Sequence, residues 1–315
     1  MSPIHVVAGV LRDPAGRVLV AQRARGKHLA GLWEFPGGKV ESGESAAAAL
    51  RRELREELGV AVRVVEPLIA VPWRYQDKTI LLDAYSVSDY AGAPRSRENQ
   101  AIAWHRVDEI PALEMPPADR PIVNALRLPD HYAITPEPDA DDVAFLGNIE
   151  CALINGVQLL QLRAKTVGAA RLRKLALASC ELARAHGARI LINGDVALAR
   201  DCDADGVHLN SVELMRAKQR PLPSDKWLGA SCHNAAEICK ANALGVDFGV
   251  LGPVAATASH DGALPTGWAF FIELCSLAAF PVFGLGGLHL GDLKLARASG
   301  AQGVAGISAF FSHSR

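Results

Sequence analysis

Residues 37–60 read GGKVESGESAAAALRRELREELGV. The alanine-rich centre predicts a helix that Ser45 or Ser42 can cap and Gly59 can end. Ala46, Leu50, Leu54 and Leu58 recur four apart and form one apolar stripe, which can anchor the helix to a sheet. At ~100° per residue, Glu53, Glu56 and Glu57 share the neighbouring face. Like charges at this spacing cost a helix a few tenths of a kcal/mol per pair, so a compensating cation is expected. Carboxylate oxygens suit Mg²⁺ or Mn²⁺ far better than zinc, and Mg²⁺ usually completes its shell with substrate phosphates. Gly37 and Gly38 precede the helix in a loop whose backbone must approach something closely.

The same stretch fits the pattern Gx₅Ex₇REUxEExGU, with U aliphatic. Gly38, Glu44, Arg52-Glu53-Leu54, Glu56-Glu57 and Gly59-Val60 fill every fixed position. Residues 3–128 therefore resemble the Nudix hydrolases, most of all the MutT branch. The resemblance implies an α+β fold, a mixed sheet with helices. It implies Mg²⁺-dependent cleavage of a nucleoside triphosphate to a monophosphate and pyrophosphate, with 8-oxo-dGTP as the expected substrate. It places the metal ligands at Gly37, Glu53, Glu56, Glu57 and Glu98, the last in SRENQAIAW just before a strand. Glu53 and Glu98 are the candidate catalytic bases. Arg52 is expected to brace the carboxylates, and Glu44 to tie the loop to the helix.

The expected substrate contacts are Arg23, Phe35, Gly38 and Asp119. Arg23 either meets a phosphate or lies at the surface. Phe35 either packs on the base or joins the core. Asp119, in MPPADRP, stands where MutT enzymes place a base-reading asparagine. An ionised aspartate only accepts hydrogen bonds. It could still select 8-oxoguanine, whose N7–H is a donor where guanine has a bare acceptor, or it could cap the following helix.

Around the signature, IHVVAGVL and RVLVAQR flank DPAG and predict a hairpin. AVRVVEPLIAVPWRY and TILLDAYSVSDY flank QDK as a second strand pair, AIAWHRV is another strand, and a helix is expected near Arg120–Leu126. From His131 the pattern changes. HYAIT, VQLLQLRA, ARILIN, GVHLN, WLGAS, FGVLGP, PVFGLGG and GVAGIS are short apolar strands that alternate with helical stretches. Runs of this kind suit parallel strands buried on both faces, and eight β/α units predict a compact (β/α)₈ TIM barrel. Pro129 in LRLPDH marks the linker, which gives domains at residues 1–129 and 130–315.

Active residues of such barrels sit at the C-terminal strand ends, with phosphate near the last two strands. GLGG at 284–287, with Gly286 and Gly287, and GVAGIS at 303–308 have that place. The series QLRAK, LIN, DGVHLN, GASCH, GVLGP and GLGG resembles the thiamine phosphate synthases and a related thiazole tautomerase, over residues 130–310. The resemblance implies that Arg163, Lys165, Asn193 and Ser231 hold a pyrophosphate or phosphate. It also shows departures. Gly194 stands where the family has a magnesium-binding aspartate, Glu213 aligns with the second, and His260 falls near the family's loop lysine. The barrel is therefore expected to be catalytically degenerate. A tautomerase-like activity through His233, a module binding a thiazole or pyrimidine phosphate, and a barrel kept for stability remain open. The whole chain could instead serve the thiamine pathway.

Net charge is −1, from 33 basic and 34 acidic residues, so no global field favours nucleic acid or an anionic membrane. No apolar run reaches the ~18 residues of a membrane span. The six cysteines contain no CxxC pair, as expected for reduced thiols in a cytoplasmic protein. The expected partners are a nucleotide and a small phosphate ligand, without direct nucleic-acid binding.

Overall fold

The computed structural model describes residues 3–24, 26, 28–256 and 265–311. The chain divides into two compact units, Met1–Arg127 and Leu128–Arg315.

The first unit contains β1 (Ile4–Leu11), β2 (Val18–Gln22), β3 (Trp33–Glu34), β4 (Gly37–Lys39), α1 (Ala46–Leu58), β5 (Ala61–Arg74), β6 (Thr79–Ala91), β7 (Ile102–His105) and α2 (Arg120–Arg127). One mixed sheet runs β4-β1-β6-β5, with β1 and β6 parallel. A second sheet, β3-β2-β7, is antiparallel. The expected β1–β2 hairpin is reduced to one bridge, Arg12 to Val18. β4 and β6 occupy both edges of β1, so β2 turns away to pair with β3 and β7. The turn itself forms as the sequence indicates. Asp13 accepts the amides of Ala15 and Arg17 at 3.0 and 2.9 Å.

Ser45 caps α1 through the Ala48 amide at 3.3 Å, and Gly59 ends it in the left-handed conformation. Leu50, Leu54 and Leu58 are fully buried against the sheet among Val7, Leu11, Leu19 and Val87. Gly9 of β1 permits this docking, since a Cβ there would lie 2.9 Å from a Leu54 methyl.

The second unit is a closed parallel barrel of eight strands. They are β8 (His131–Ile134), β9 (Leu159–Leu162), β10 (Arg189–Asn193), β11 (Gly206–Leu209), β12 (Trp227–Cys232), β13 (Phe248–Leu251), β14 (Val282–Leu285) and β15 (Gly303–Gly306). β15 pairs with β8 to close the ring. Helices alternate with them, among them α3 (Asp142–Ile154), α4 (Ala169–Ala185), α5 (Val196–Asp201) and α6 (Ser211–Arg216). The strand period of two sorts the core into layers. Tyr132, Leu159, Leu191, Phe248 and Phe283 form one cluster, while Ile190 and Ile192 join the cluster shared with the helices. Among the described residues, no helix is long and apolar enough to cross a membrane. All six cysteines are free thiols.

Candidate active site and barrel mouth

In the first unit, α1 delivers its acidic face to the loop formed by Gly37 and Gly38. The Glu53 carboxylate lies over Gly38, where a Cβ would stand 2.3 Å from it. Glu57 is buried and accepts the Gly37 amide at 3.2 Å. Burial, and after it the charge of Glu98, pushes the Glu57 carboxyl up to about 7, with Glu34 and Glu53 adding to the effect. Glu98 reaches this field because its loop is pinned to the end of α1. The amides of Arg95 and Arg97 bond to the carbonyls of Leu58 and Glu57 at 3.0 and 2.9 Å.

Arg52 holds the outer carboxylates. It grips both oxygens of Glu44 at 3.1 and 2.9 Å, Glu53 at 2.8 Å, Glu56 at 3.4 Å and the Lys39 carbonyl at 3.1 Å. This fork holds Glu44 below its ordinary pKa. Glu56 points outward, its side chain 58% exposed. The five expected ligand positions thus share one corner without closing on a point. Among the described residues no three acidic, imidazole or thiol groups form a metal shell. Like charges repel, and Arg52 takes up Glu53 and Glu56. The donor set nevertheless fits a hard divalent ion. It is all oxygen, and the rise of Glu57, caused by burial and then by neighbouring carboxylates, marks a surplus of negative charge that a cation would offset.

Beside these groups opens a cavity of about 540 Å³, lined by Arg23, Glu34, Phe35, Tyr75, Lys78 and Asp119, with Gly37, Gly38 and Glu57 at its metal end. Arg23 is ion-paired with Glu34 and bonds the His28 carbonyl at 2.7 Å. Phe35 is both core and lining, only 3% exposed. Asp119 ends a 3₁₀ turn, Pro117–Asp119, and is buried. Its carboxylate accepts the Phe35 amide at 3.3 Å, so its hydrogen bond goes to the pocket wall and not to a helix cap. Burial, and then Glu34, pushes Asp119 up to about 8. A carboxyl raised this far favours its protonated form at pH 7, which can donate as well as accept, whereas the sequence alone suggests an ionised acceptor. Glu34 was missed because EFPGG shows it only as the residue before Phe35. Its pairing with Arg23 is tertiary.

In the second unit, Arg163, Lys165, Asn193, Ser231, His233, Gly286 and Gly287 line one pocket of about 240 Å³ at the C-terminal strand ends. The polar atoms around it are ordered by their neighbours. Gln161 donates to Asn193 Oδ1 at 3.2 Å. The Glu213 amide donates to Asn210 Oδ1 at 3.0 Å. His208 lies between Tyr132 at 3.1 Å and Ser231 at 2.9 Å, and burial pushes it down to about 3, so it is neutral. The neutral imidazole thus bridges the two hydroxyls, donating through one ring nitrogen and accepting through the other. Glu213 closes a capping box with Asn210, and Asp195 caps α5 through the Leu198 amide at 2.8 Å. His260 lies outside the described residues.

Models of two families match the chain: the NUDIX domain over residues 3–126, and thiamine monophosphate synthase over residues 131–310, more than half of the chain. The chain joins a Nudix domain to a thiamine monophosphate synthase domain. Over the Nudix domain it is 42% identical to the CTP pyrophosphohydrolase of Escherichia coli (126 residues, 40% of this chain and 92% of the relative). It is 35% identical to the 8-oxo-dGTP diphosphatase of Haemophilus influenzae (131 residues, 42% and 96%). Over the synthase domain it is 36% identical to the thiamine-phosphate synthase of a Synechococcus strain (176 residues), covering 55% of this chain and 50% of the relative. The chain thus spans about half the length of that synthase. The Nudix domain is a pyrophosphohydrolase domain, and Nudix hydrolases in general use a divalent metal. Both domain types bind small phosphate-bearing molecules.

Proposed function

We propose that the Nudix domain hydrolyses 8-oxo-dGTP to 8-oxo-dGMP and pyrophosphate with Mg²⁺, clearing an oxidised precursor from the nucleotide pool. The observation that carries this reading is the buried Asp119, its carboxyl pKa raised by burial, on the wall of a cavity whose other end holds Gly37, Gly38 and Glu57. A neutral carboxyl offers one donor and one acceptor side by side. The oxidised base presents the matching pair, O6 as acceptor and N7–H as donor. Ordinary guanine has two acceptors there.

Glu53, Glu56, Glu57, Glu98 and the Gly37 carbonyl would hold Mg²⁺, with Mn²⁺ as a substitute. When bound, the ion supplies neutralisation of the phosphate oxygens and a lowered water pKa. The chain's own groups do the rest. Glu53 or Glu98 takes the proton of the attacking water. Arg52 holds Glu53 in place, Gly38 lets that carboxylate approach the loop, and Arg23 positions Glu34 at the cavity wall. Replacing Glu53 by Gln should lower Mg²⁺-dependent pyrophosphate release from 8-oxo-dGTP by about 10²–10⁴-fold. Full activity in that variant would refute the mechanism.

A second reading takes a cytidine triphosphate. Cytosine's N4 amine and N3 acceptor also match a neutral carboxyl, and Glu34 adds an acceptor for the amine. Initial rates on 8-oxo-dGTP, dGTP, CTP and dCTP separate the readings. Thiamine-pathway pyrophosphates in the same panel test the alternative that the whole chain serves that pathway.

A further inference from the structure

The synthase resemblance implies a magnesium ion held by two carboxylates beside Asn193 and Asn210. The residues present do not fit one. Gly194 has no side chain, and the space its Cβ would take is filled by the Glu213 carboxylate, whose oxygens lie 2.5 and 2.7 Å from that point. Glu213 in turn accepts the Asn210 amide at 3.2 Å, as half of the capping box that starts α6. Asp195, the residue after Gly194, is used at the start of α5. No carboxylate lines the pocket among the described residues.

What the pocket offers instead is donors. The Asn193 and Asn210 side-chain oxygens are already engaged, by Gln161 and by the Glu213 amide, which leaves their NH₂ groups free to meet a ligand. The Ser231 hydroxyl, 2.9 Å from His208 Nε2, also lines the pocket. Gly286 and Gly287, both at positive φ, line the same pocket and bring main chain close to a ligand there. A rim of this kind repels a cation and holds an anion.

Charge sets which anion. Arg163 is partly neutralised by Glu137 at 3.4 Å, and Glu137 is fixed by Thr166. Lys165 is exposed at the rim with no ion pair among the described residues, and His233 shares its Nδ1 with Glu237 at 3.0 Å. Glu137 and Glu237 thus offset part of the positive charge at the mouth, which suits an anion of low charge better than a pyrophosphate.

We propose that the barrel mouth is a donor-lined anion site that binds a phosphomonoester without a divalent metal, and that it does not carry out metal-dependent pyrophosphate displacement. This stands apart from the nucleotide reading of the Nudix domain.

The test uses the full chain carrying Glu53→Gln, which suppresses turnover in the Nudix domain. Inorganic phosphate and inorganic pyrophosphate are titrated calorimetrically, each in millimolar Mg²⁺ and in EDTA, and again after adding Lys165→Ala or Ser231→Ala. Lys165 is exposed, so its replacement leaves the fold intact. Phosphate should bind equally in Mg²⁺ and EDTA, and Lys165→Ala should weaken it about tenfold or more, the worth of one charge-assisted bond. Ser231→Ala should weaken it less. Phosphate binding insensitive to both substitutions would overturn the site. So would a pyrophosphate affinity that Mg²⁺ raises tenfold and Lys165→Ala abolishes.

Discussion

Asp119 and Phe35, 84 residues apart in the chain, share a hydrogen bond of 3.3 Å at the wall of the Nudix cavity, and the carboxyl that accepts it is buried. An enclosed acid beside Glu34 keeps its proton, and that has a thermodynamic consequence. The folded state holds the Asp119 proton up to about pH 8, whereas the unfolded chain releases it near the ordinary 3.8. Between these values the folded state binds more protons. Its stability therefore falls as pH rises from about 4 to about 8 and levels off above that. Glu57 adds the same trend between about 4.5 and 7. Thermal melts in EDTA at pH 5 and pH 8 should show a lower Tm at pH 8. Asp119→Asn should flatten the difference. An equal slope in both proteins would contradict the enclosed, protonated acid.

Arg52 bonds Glu44, Glu53 and Glu56 at once. Groups that orient metal ligands from behind are worth about 10–100-fold in metal affinity or activity. Arg52→Gln should therefore raise the Mg²⁺ concentration needed for half-maximal pyrophosphate release by about that factor. A Mg²⁺ titration of the rate reads it directly.

Gly38 leaves room for the Glu53 carboxylate and nothing more. Gly38→Ala should displace that side chain and lower kcat by about 10²-fold, as small misplacements of reacting groups do. The circular dichroism spectrum should not change, because the contact is with a side-chain end and not with backbone.

Leu54 is fully buried between α1 and β1, against Gly9. Leu54→Ala should cost about 2–5 kcal/mol in urea denaturation, from lost burial and a cavity that rigid neighbours cannot fill. Arg55→Ala, on the same helix but exposed, should change stability by under about 0.5 kcal/mol.

Legibility followed the range of the interactions. The α1 stripe, its Ser45 cap and its Gly59 stop are local, and they stand in the fold as the spacing predicts. The eight barrel strands were legible because each is an apolar run bounded by turn residues. The hairpin at Asp13 was half legible. Its turn is local and formed, but the fate of β2 depended on β4 and β6 taking the edges of β1. Glu34 gave no signal at all, since its partner Arg23 meets it only across the folded loop.

By itself the sequence determined the two families and the residues that carry their motifs, because helix period, strand period and fixed spacings act over a few bonds. Only the tertiary structure decided what those residues are chemically. It buried Asp119 near Glu34 and so raised its carboxyl pKa to about 8. It drew Glu53 and Glu56 toward Arg52. It placed the Glu213 carboxylate in the space beside Gly194 and left the barrel mouth lined with donors. Burial and neighbouring charge set protonation and hydrogen-bond direction, and both depend on groups distant in the chain.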